Sequence, residues 1–229
     1  MPRARTQKQD EWQTAAAYEN GSGCFSGYLL PPFAVLLIAC LLTAFALNTP
    51  IQTAALPMDT ATSASGLSPI FTKEVQYWGN DIIRWANASS LDPNLVAVIM
   101  QIESCGDPHA LSRSGAMGLF QVMPFHFHIG ENGFNPETNA LRGLNYLSRS
   151  LSAGGGNPRL ALAGYNGGIG VISRGEWTWS AQTQRYVYYG APIYEDARAG
   201  LSQSQYVDEW YNKYGAGLCR QAAQGLGLP

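Results

Sequence analysis

The stretch that decides the fold of this 229-residue chain is QIESCGDPHALSRSGAMGLFQVMP, from Gln101 to Pro124. Its first residues end an apolar, helix-like segment with a single carboxylate, Glu103. A glycine-rich turn and the motif GAMGLFQVMP follow directly. Glycines leave room for a ligand to approach the backbone closely. The pattern predicts one acid that is held among apolar neighbours and faces a glycine-lined wall, which suits protonation of a glycosidic oxygen.

The residues before this stretch predict the helix that carries Glu103. Asp92-Pro93 is a strong helix start, because Asp is favoured at the N-cap and Pro at the first helical position. The apolar stripe that follows consists of Leu95, Val96, Ile99 and Ile102. Glu103 comes directly after this stripe, and Gly106 ends the helix. A carboxylate at such an edge is partly desolvated, so we expect a raised pKa.

Helical patterns extend over most of the remaining chain. Val75, Trp78, Ile82 and Trp85 recur at intervals of three and four residues, which places them on one apolar face. Further helices are predicted at 116–123, 136–151, 158–165, 184–198 and 202–214. No sustained alternation of period two is found, so little strand is expected. The predicted fold is mainly α.

A membrane-spanning helix is predicted ahead of this helical region. Residues 28–47 read YLLPPFAVLLIACLLTAFAL, and about twenty helical residues suffice to cross a hydrocarbon core of about 30 Å. Three basic residues precede the segment, and the next cation is Lys73. The positive-inside rule therefore places residues 1–27 in the cytoplasm and the later residues outside it, in the periplasm or cell wall. Residues 48–68 are rich in Thr, Ala, Ser and Pro and are expected to form a flexible linker.

Two other interpretations of residues 28–47 stay open. Ala44-Phe45-Ala46 resembles the small-residue site at which a signal peptide is cleaved. Leu37 to Cys40 resembles a lipoprotein box, although apolar residues continue beyond Cys40. The stretch ahead of the apolar segment is long for a signal peptide, which favours a retained anchor over both alternatives.

Charge and cysteine usage restrict the partners and cofactors. A net charge of −2 and a pI near 5.9 argue against a nucleic-acid partner, which usually needs a basic face. No Cys or His spacing suggests a metal site, and no cofactor is expected. Cys105 and Cys219 lie in the part expected outside the cytoplasm, where a disulfide is permitted, but two unpaired buried thiols fit the sequence equally well.

Five motifs follow one another along the chain: Glu103-Ser104, SRSGAMGLFQVMP, FNPETNALRGLNYL, ALAGYNGG and QTQRYV. In this order they resemble the catalytic domain of the soluble lytic transglycosylases, which have a lysozyme-like fold and cleave bacterial peptidoglycan. The resemblance spans roughly 69–198. We therefore expect this domain at 69–200, followed by a C-terminal helical extension at 201–229, with the glycan strands of peptidoglycan as substrate.

The resemblance implies that Glu103 is the catalytic residue. In that family one glutamate first protonates the oxygen that links N-acetylmuramic acid to N-acetylglucosamine. It then takes the proton of the muramyl C6 hydroxyl, which closes onto C1 and gives a 1,6-anhydro product. No water attacks, so the second carboxylate of ordinary glycosidases is not needed. The residues that match the family's substrate groove are Ser112, Gly115, Ala116, Gln121, Met123, Tyr165, Asn166, Gln182 and Tyr186.

One position departs from the family pattern. Many members carry a glutamate where this chain has Gln182, within Gln182-Thr183-Gln184-Arg185-Tyr186-Val187. Because the proton chemistry depends on Glu103, this change is expected to alter affinity or the preference for particular stem peptides, and not to abolish activity.

Three other functions stay open. A lysozyme-like hydrolase would use the same acid with water as the nucleophile. A peptidoglycan-binding scaffold would have lost catalysis, but the presence of Glu103, Gln121 and Tyr165 argues against that. An assembly factor for a secretion or conjugation machine is compatible with enzymatic activity, and the sequence names no protein partner for it.

Overall fold

The computed structural model describes residues 66–229, which are mainly helical. The helices are α1 (Lys73–Tyr77), α2 (Gly79–Ala88), α3 (Pro93–Glu103), α4 (Pro136–Ala153), α5 (Pro158–Gly167), α6 (Ala181–Arg198), α7 (Gln205–Trp210) and α8 (Ala216–Leu226). Short 3-10 turns lie at Pro124–His126, Ile169–Val171 and Glu176–Thr178, and a π-helical turn at Tyr211–Gly215 joins α7 to α8. The prediction of a mainly α protein is confirmed.

The segments predicted ahead of the helical domain lie outside the described residues. These are the cytoplasmic tail (1–27), the membrane helix (28–47) and nearly all of the linker (48–68). Within residues 66–229, no helix combines the length and apolar character that crossing a bilayer requires. The three assignments therefore stay predictions.

Helix α3 is surrounded by other elements along most of its length. Asp92 caps its first turn by accepting a hydrogen bond from the Asn94 N–H at 2.8 Å, and Pro93 occupies the first helical position. Every residue from Leu95 to Gln101 is buried, and α2 and α6 both pack against the helix. The predicted start at Asp92-Pro93 and the predicted end before Gly106 are confirmed.

Helices α4, α5 and α6 pack in succession, α4 against α5 and α5 against α6. The predicted helices at 136–151, 158–165 and 184–198 are confirmed, each with two or three more residues at one end. Close packing depends on small residues. A Cβ added at Gly143 of α4 would lie 2.7 Å from the Phe120 Cβ, so α4 reaches the loop after α3 only because this position has no side chain.

The helix predicted at 116–123 is wrong. This segment forms turns with isolated antiparallel bridges, Leu111 to Met117 and Met117 to Val122. Gly118 has a φ of +73° and Gln121 a φ of +47°, values that a right-handed helix does not contain. Most apolar residues of this segment are buried because the loop folds back and packs them into the core, and not because they share one face of a helix.

The helix predicted at 202–214 begins later and extends further than expected. It begins at Gln205, because Ser204 caps it by accepting a hydrogen bond from the Val207 N–H at 3.3 Å. The π-helical turn then carries the chain into α8, which ends at Leu226. The C-terminal region is therefore helical from Gln205 to Leu226.

A disulfide joins this C-terminal region to the end of α3. Cys105 and Cys219 are bonded, with their Cα atoms 5.0 Å apart. The Glu74 carboxylate lies within 4.8 Å of both sulfurs, but sulfurs bonded to each other are not thiolate ligands for a metal. The sequence left the pairing open, because it does not show that residues separated by 114 positions approach each other.

Candidate active site

Glu103 is the last residue of α3 and is partly exposed. The turn after it is held by Ser104, which is fully buried. The Ser104 hydroxyl donates to the Leu119 carbonyl at 2.7 Å and accepts from the Gly106 N–H at 3.1 Å. These bonds attach the end of the helix to the glycine-rich loop. Ser104 therefore has a positioning role that the sequence motif alone did not assign.

Burial raises the pKa of Glu103 to about 7 from the ordinary value of 4.5, and the neighbouring Tyr186 hydroxyl opposes this rise. Burial dominates because weakly polar surroundings disfavour the charged carboxylate. At neutral pH the protonated and the charged form are then both populated, which suits a group that first donates a proton and then removes one. The raised pKa predicted from the sequence is confirmed.

Two tyrosine hydroxyls lie near this carboxyl group. Tyr165 donates its hydrogen bond to the Phe120 carbonyl at 2.8 Å. The Tyr186 hydroxyl is buried and has no aligned hydrogen-bond partner among the described residues, but it is close enough to favour the charged form of Glu103. Burial, and then the charge of Glu103, raise the pKa of both tyrosines well above the ordinary value. Both hydroxyls therefore stay protonated at neutral pH.

The glycine-rich loop folds back through left-handed turns. Gln121 adopts a φ of +47°, which is uncommon for a residue with a side chain. Its amide nitrogen donates to the carbonyls of Ala110 and Gly118, both at 3.1 Å. This nitrogen holds the loop, whereas the amide oxygen has no partner among residues 66–229. Only the oxygen of Gln121 is thus left for the substrate contact predicted from the sequence.

The other loop residues that were predicted to line the groove differ in what they do. The Ser112 hydroxyl accepts from the Ala116 N–H at 2.9 Å and so closes a turn. Ala116 is buried, and Met123 is half-buried. A Cβ added at Gly115 would meet only the Pro124 Cγ, at 3.9 Å. The space beside Gly115 is therefore open, as the predicted glycine-lined wall requires, whereas Ser112 and Ala116 shape the loop itself.

Asn139 of α4, which the sequence analysis did not include among the site residues, organises this loop. Its side-chain nitrogen donates to the carbonyls of Met117 at 2.7 Å and Gly133 at 2.8 Å, and its oxygen accepts from the Phe120 N–H at 2.8 Å. A Cβ added at Gly118 would lie 2.6 Å from the Asn139 nitrogen. Because Asn139 is fully buried, the bonds to Gly133 and Phe120 are shielded from water, the bond to Met117 is partly buried, and together they hold the loop firmly.

Glu103 lines a cavity of about 190 Å³. Three predicted site residues line it as well: Asn166, Gln182 and Tyr186. The Asn166 side-chain oxygen accepts from the Thr183 hydroxyl at 3.1 Å, which ties the end of α5 to α6. Loop residues 112–123 and Tyr165 are not part of this lining. A larger cavity of about 530 Å³ lies beside Trp177 and does not include Glu103.

Comparison with known proteins identifies the region that contains these residues. Residues 80–186 match the family model described as the transglycosylase SLT domain. Residues 80–186, here called the SLT domain, are similar to that family. The match begins within α2 and ends at Tyr186, so it includes α3, the glycine-rich loop, α4 and α5.

Relatives of the SLT domain include proteins of phages and bacteria. A transglycosylase of Enterobacteria phage PRD1 is 36% identical over 115 residues, which are 49% of this chain and 40% of that protein. The membrane-bound lytic murein transglycosylase C of Photorhabdus laumondii is 31% identical over 141 residues, 48% of this chain and 40% of that protein. The chain thus spans about two fifths of the length of these relatives. Among solved structures, the chain resembles an inactive mutant of the lytic transglycosylase Slt of Pseudomonas aeruginosa. The TM-score is 0.39 and the sequence identity is 24%, and the alignment covers 65% of this chain and 24% of that one.

The SLT domain forms only part of the cavity wall. Tyr189, Trp210, Tyr214 and Leu218 also line the cavity, and all four lie beyond the family match. Sequence reasoning missed them and Arg185. The only available signal was the frequency of aromatic residues between Trp177 and Tyr214, which is also typical of a hydrophobic core.

The pKa of Glu103 predicts that Glu103→Gln stabilises the SLT domain above neutral pH. Between pH 4.5 and 7 the unfolded chain releases the Glu103 proton whereas the folded chain retains it. The folded state therefore binds more protons, so stability falls as the pH rises through this window. A rise in pKa from 4.5 to about 7 corresponds to at most about 3.4 kcal/mol of stability. We expect about 1 to 2 kcal/mol, because Glu103 is partly exposed and solvent screens its charge.

Urea unfolding of both proteins at pH 4 and pH 8 measures this effect. Glu103→Gln and the unmodified protein should have similar free energies of unfolding at pH 4, and the variant should be more stable at pH 8. Glu176→Gln is the matched control, because its pairing with Arg159 lowers the pKa of Glu176. The control should not become more stable. Equal stability of the Glu103 variant and the unmodified protein at pH 8 would contradict the raised pKa of Glu103.

Proposed function

We propose that this protein is a peptidoglycan lytic transglycosylase. It cleaves the β-1,4 bond between N-acetylmuramic acid and N-acetylglucosamine and leaves 1,6-anhydro-muramyl ends. The single observation that carries this proposal is the isolated acid: Glu103, with a pKa of about 7, is the only carboxylate in the lining of its cavity within residues 66–229. The names of the relatives, which include lytic murein transglycosylases, support the same substrate and reaction.

The isolation of Glu103 favours an internal nucleophile over water. Retaining glycosidases place two carboxyl groups about 5 to 5.5 Å apart, and inverting ones about 6.5 to 9.5 Å apart. The side chains of the described residues that share the cavity with Glu103 are amides, aromatic or aliphatic groups and one guanidinium. None of these is a carboxylate nucleophile or base. A hydroxyl of the substrate itself then supplies the nucleophile.

The proposed reaction begins with Glu103 in its protonated form. Its proton passes to the bridging oxygen, and the bond between that oxygen and the muramyl C1 breaks. The C6 hydroxyl oxygen bonds to C1 and gives its proton to the Glu103 carboxylate. The acid is thereby regenerated, and no water is consumed.

We assign supporting roles to the tyrosines and to the residues around the groove. The Tyr186 hydroxyl, which has no aligned partner, stabilises Glu103 while its carboxylate is charged. The Tyr165 hydroxyl is held on the Phe120 carbonyl and lies near enough to Glu103 for the charge of Glu103 to raise the pKa of Tyr165. The substrate-binding residues of the proposal are Ser112, Gly115, Ala116, Gln121, Met123, Tyr165, Asn166, Gln182 and Tyr186, of which Ser112 and Ala116 act by shaping the loop.

Product analysis in isotopically labelled water tests the proposed function. Purified full-length protein is incubated with isolated peptidoglycan in H₂¹⁸O, and the released fragments are analysed by mass spectrometry. We expect 1,6-anhydro-muramyl ends without ¹⁸O. Reducing ends labelled with ¹⁸O would show a lysozyme-like hydrolase instead, and binding of peptidoglycan without any release of fragments would show a non-catalytic scaffold.

We also propose that residues 28–47 anchor the protein and that residues 48–68 connect this anchor to a domain at 69–200, with 201–229 as its C-terminal extension. The word membrane-bound in the names of several relatives supports a location at the membrane, with the catalytic domain facing peptidoglycan. Alkaline phosphatase fused after residue 68 should be active in cells, because that enzyme needs an oxidising compartment. An inactive fusion that is expressed at a normal level would contradict this orientation.

A further inference from the structure

The wall of the Glu103 cavity carries one cation. Arg185 of α6 lines the cavity together with Glu103, and among the lining residues these are the only Asp, Glu, Lys or Arg side chains. Arg185 is exposed, so its guanidinium reaches solvent at the rim of the cavity. A substrate that enters the cavity therefore meets an acid at one place and a permanent positive charge at another.

Arg185 has no carboxylate partner among the described residues. The ion pairs of residues 66–229 engage Arg84, Arg142, Arg159 and Lys213. No hydrogen bond of the Arg185 side chain is formed within the same residues. Gln182, one turn earlier on α6, also lines the cavity, and its neutral amide cannot form an ion pair with Arg185. All five N–H groups of the guanidinium remain for a ligand.

The C-terminal helical region holds Arg185 in place. The guanidinium carbon lies 5.1 Å from the centroid of the Tyr214 ring, a cation–π contact. Tyr214 belongs to the π-helical turn Tyr211–Gly215, and turns of this type are frequent at functional sites. A Cβ added at Gly215 would lie 2.4 Å from the Trp210 ring, so the ring packs directly on the turn. The turn therefore supports both Tyr214 and Trp210 at the cavity.

The disulfide holds this wall beside the acid. Cys105 is two residues after Glu103, and Cys219 directly follows the cavity-lining Leu218. The Glu103 end of α3 and the wall are thus covalently linked. Glu103 and Arg185 line the same cavity and form no ion pair with each other, so both remain available to one ligand.

Peptidoglycan offers a carboxylate that suits this position. The muramyl residue whose C1 reacts at Glu103 carries a peptide stem, and the stem contains free carboxylates. An arginine held on an aromatic ring is well suited to bind a carboxylate through two parallel hydrogen bonds. Resting on the proposed function, we propose that Arg185, supported by Tyr214, binds a stem-peptide carboxylate and makes the enzyme prefer peptide-bearing strands.

Three forms of peptidoglycan strand distinguish which carboxylate binds Arg185. Native strands carry stem carboxylates, strands stripped of their stems by an amidase carry only the muramyl lactyl carboxylate, and strands converted to methylamides carry neither. With Arg185→Gln in the full-length protein, we expect KM for native strands to rise about tenfold, as for the loss of a charge-assisted hydrogen bond, with kcat nearly unchanged. KM for the other two substrates should not change.

The matched control is Arg198→Gln. Arg198 also belongs to α6 and is stacked on a tyrosine, Tyr194, at 5.8 Å, but it does not line the Glu103 cavity. This control should leave all three KM values unchanged. Tyr214→Leu should raise KM for native strands selectively, whereas Tyr214→Phe retains the ring face and should not.

Three results would overturn the inference. The first is an equal KM for Arg185→Gln and the unmodified protein on native strands. The second is a rise in KM for Arg185→Gln on methylamidated strands that is as large as the rise on native strands. The third is a rise in KM of that size on stripped strands. Failure of the proposed function is a different result, because the unmodified protein would then release no anhydro product from any of the three substrates.

Discussion

Glu103→Gln should lower the rate of peptidoglycan cleavage by about 10²–10⁴-fold, the contribution of a positioned proton-transfer group. Gln has nearly the same shape as Glu but neither donates an acidic proton nor accepts one. The loss is expected in kcat, because the proton moves only as the bond breaks. The rates of Glu103→Gln and of the unmodified protein are measured as the release of anhydro-muropeptides at neutral pH, followed by mass spectrometry.

The same variant must remain folded for this loss to be meaningful. Its thermal unfolding at pH 8 should occur at or above the temperature of the unmodified protein, because the desolvated carboxyl group is gone. Glu176→Gln removes a carboxylate that pairs with Arg159 outside the Glu103 cavity, and it should retain normal activity. If Glu103→Gln were folded and as active as the unmodified protein, the assignment of the acid would be wrong.

Removal of the Cys105–Cys219 disulfide should destabilise the domain by about 4 kcal/mol. The bond closes a loop across 114 positions, and a loop of about 100 residues is expected to restrict the unfolded chain by about 4.7 kcal/mol. Measured values are often lower than this limit. The variant Cys105→Ser/Cys219→Ser should unfold about 10 °C lower, since about 2 to 4 °C is expected per kcal/mol in a domain of this size.

The chain offers a control for this effect in its other two cysteines, Cys24 and Cys40. Cys24→Ser/Cys40→Ser should have the same unfolding temperature as the unmodified protein. A reducing agent should lower that temperature in both proteins. The Cys105→Ser/Cys219→Ser variant should lose that sensitivity. An unfolding temperature that is independent of both the substitution and the reducing agent would show that the bond does not stabilise the protein.

Local sequence patterns predicted the helices well where caps and apolar stripes agree. Asp92-Pro93 and Asn135-Pro136 both start helices, and each is followed by residues that bury one face. The pattern misled at 116–123, where an apolar series is interrupted by glycines. There, the left-handed turns at Gly118 and Gln121 and the buried bonds of Asn139 decide the backbone, and these contacts come from another helix.

The candidate site was predicted only in part for the same reason. Glu103 was found because one acid stands at a predicted helix end, and its raised pKa follows from that position. Asn166, Gln182 and Tyr186 were named from a family motif and do line its cavity. Arg185 and Tyr214 were not found, because they lie 29 positions apart and each alone is typical of a solvated or packed side chain.

By itself the sequence determined the helical segments, the single acid and the glycines beside it, since these depend on the order of neighbouring residues. The tertiary structure alone decided the folded-back loop, the disulfide and the cavity wall built by the C-terminal helices. Each of these needs residues that are distant in the chain to meet. Such contacts are set by the packing of whole helices, which local periodicity does not encode.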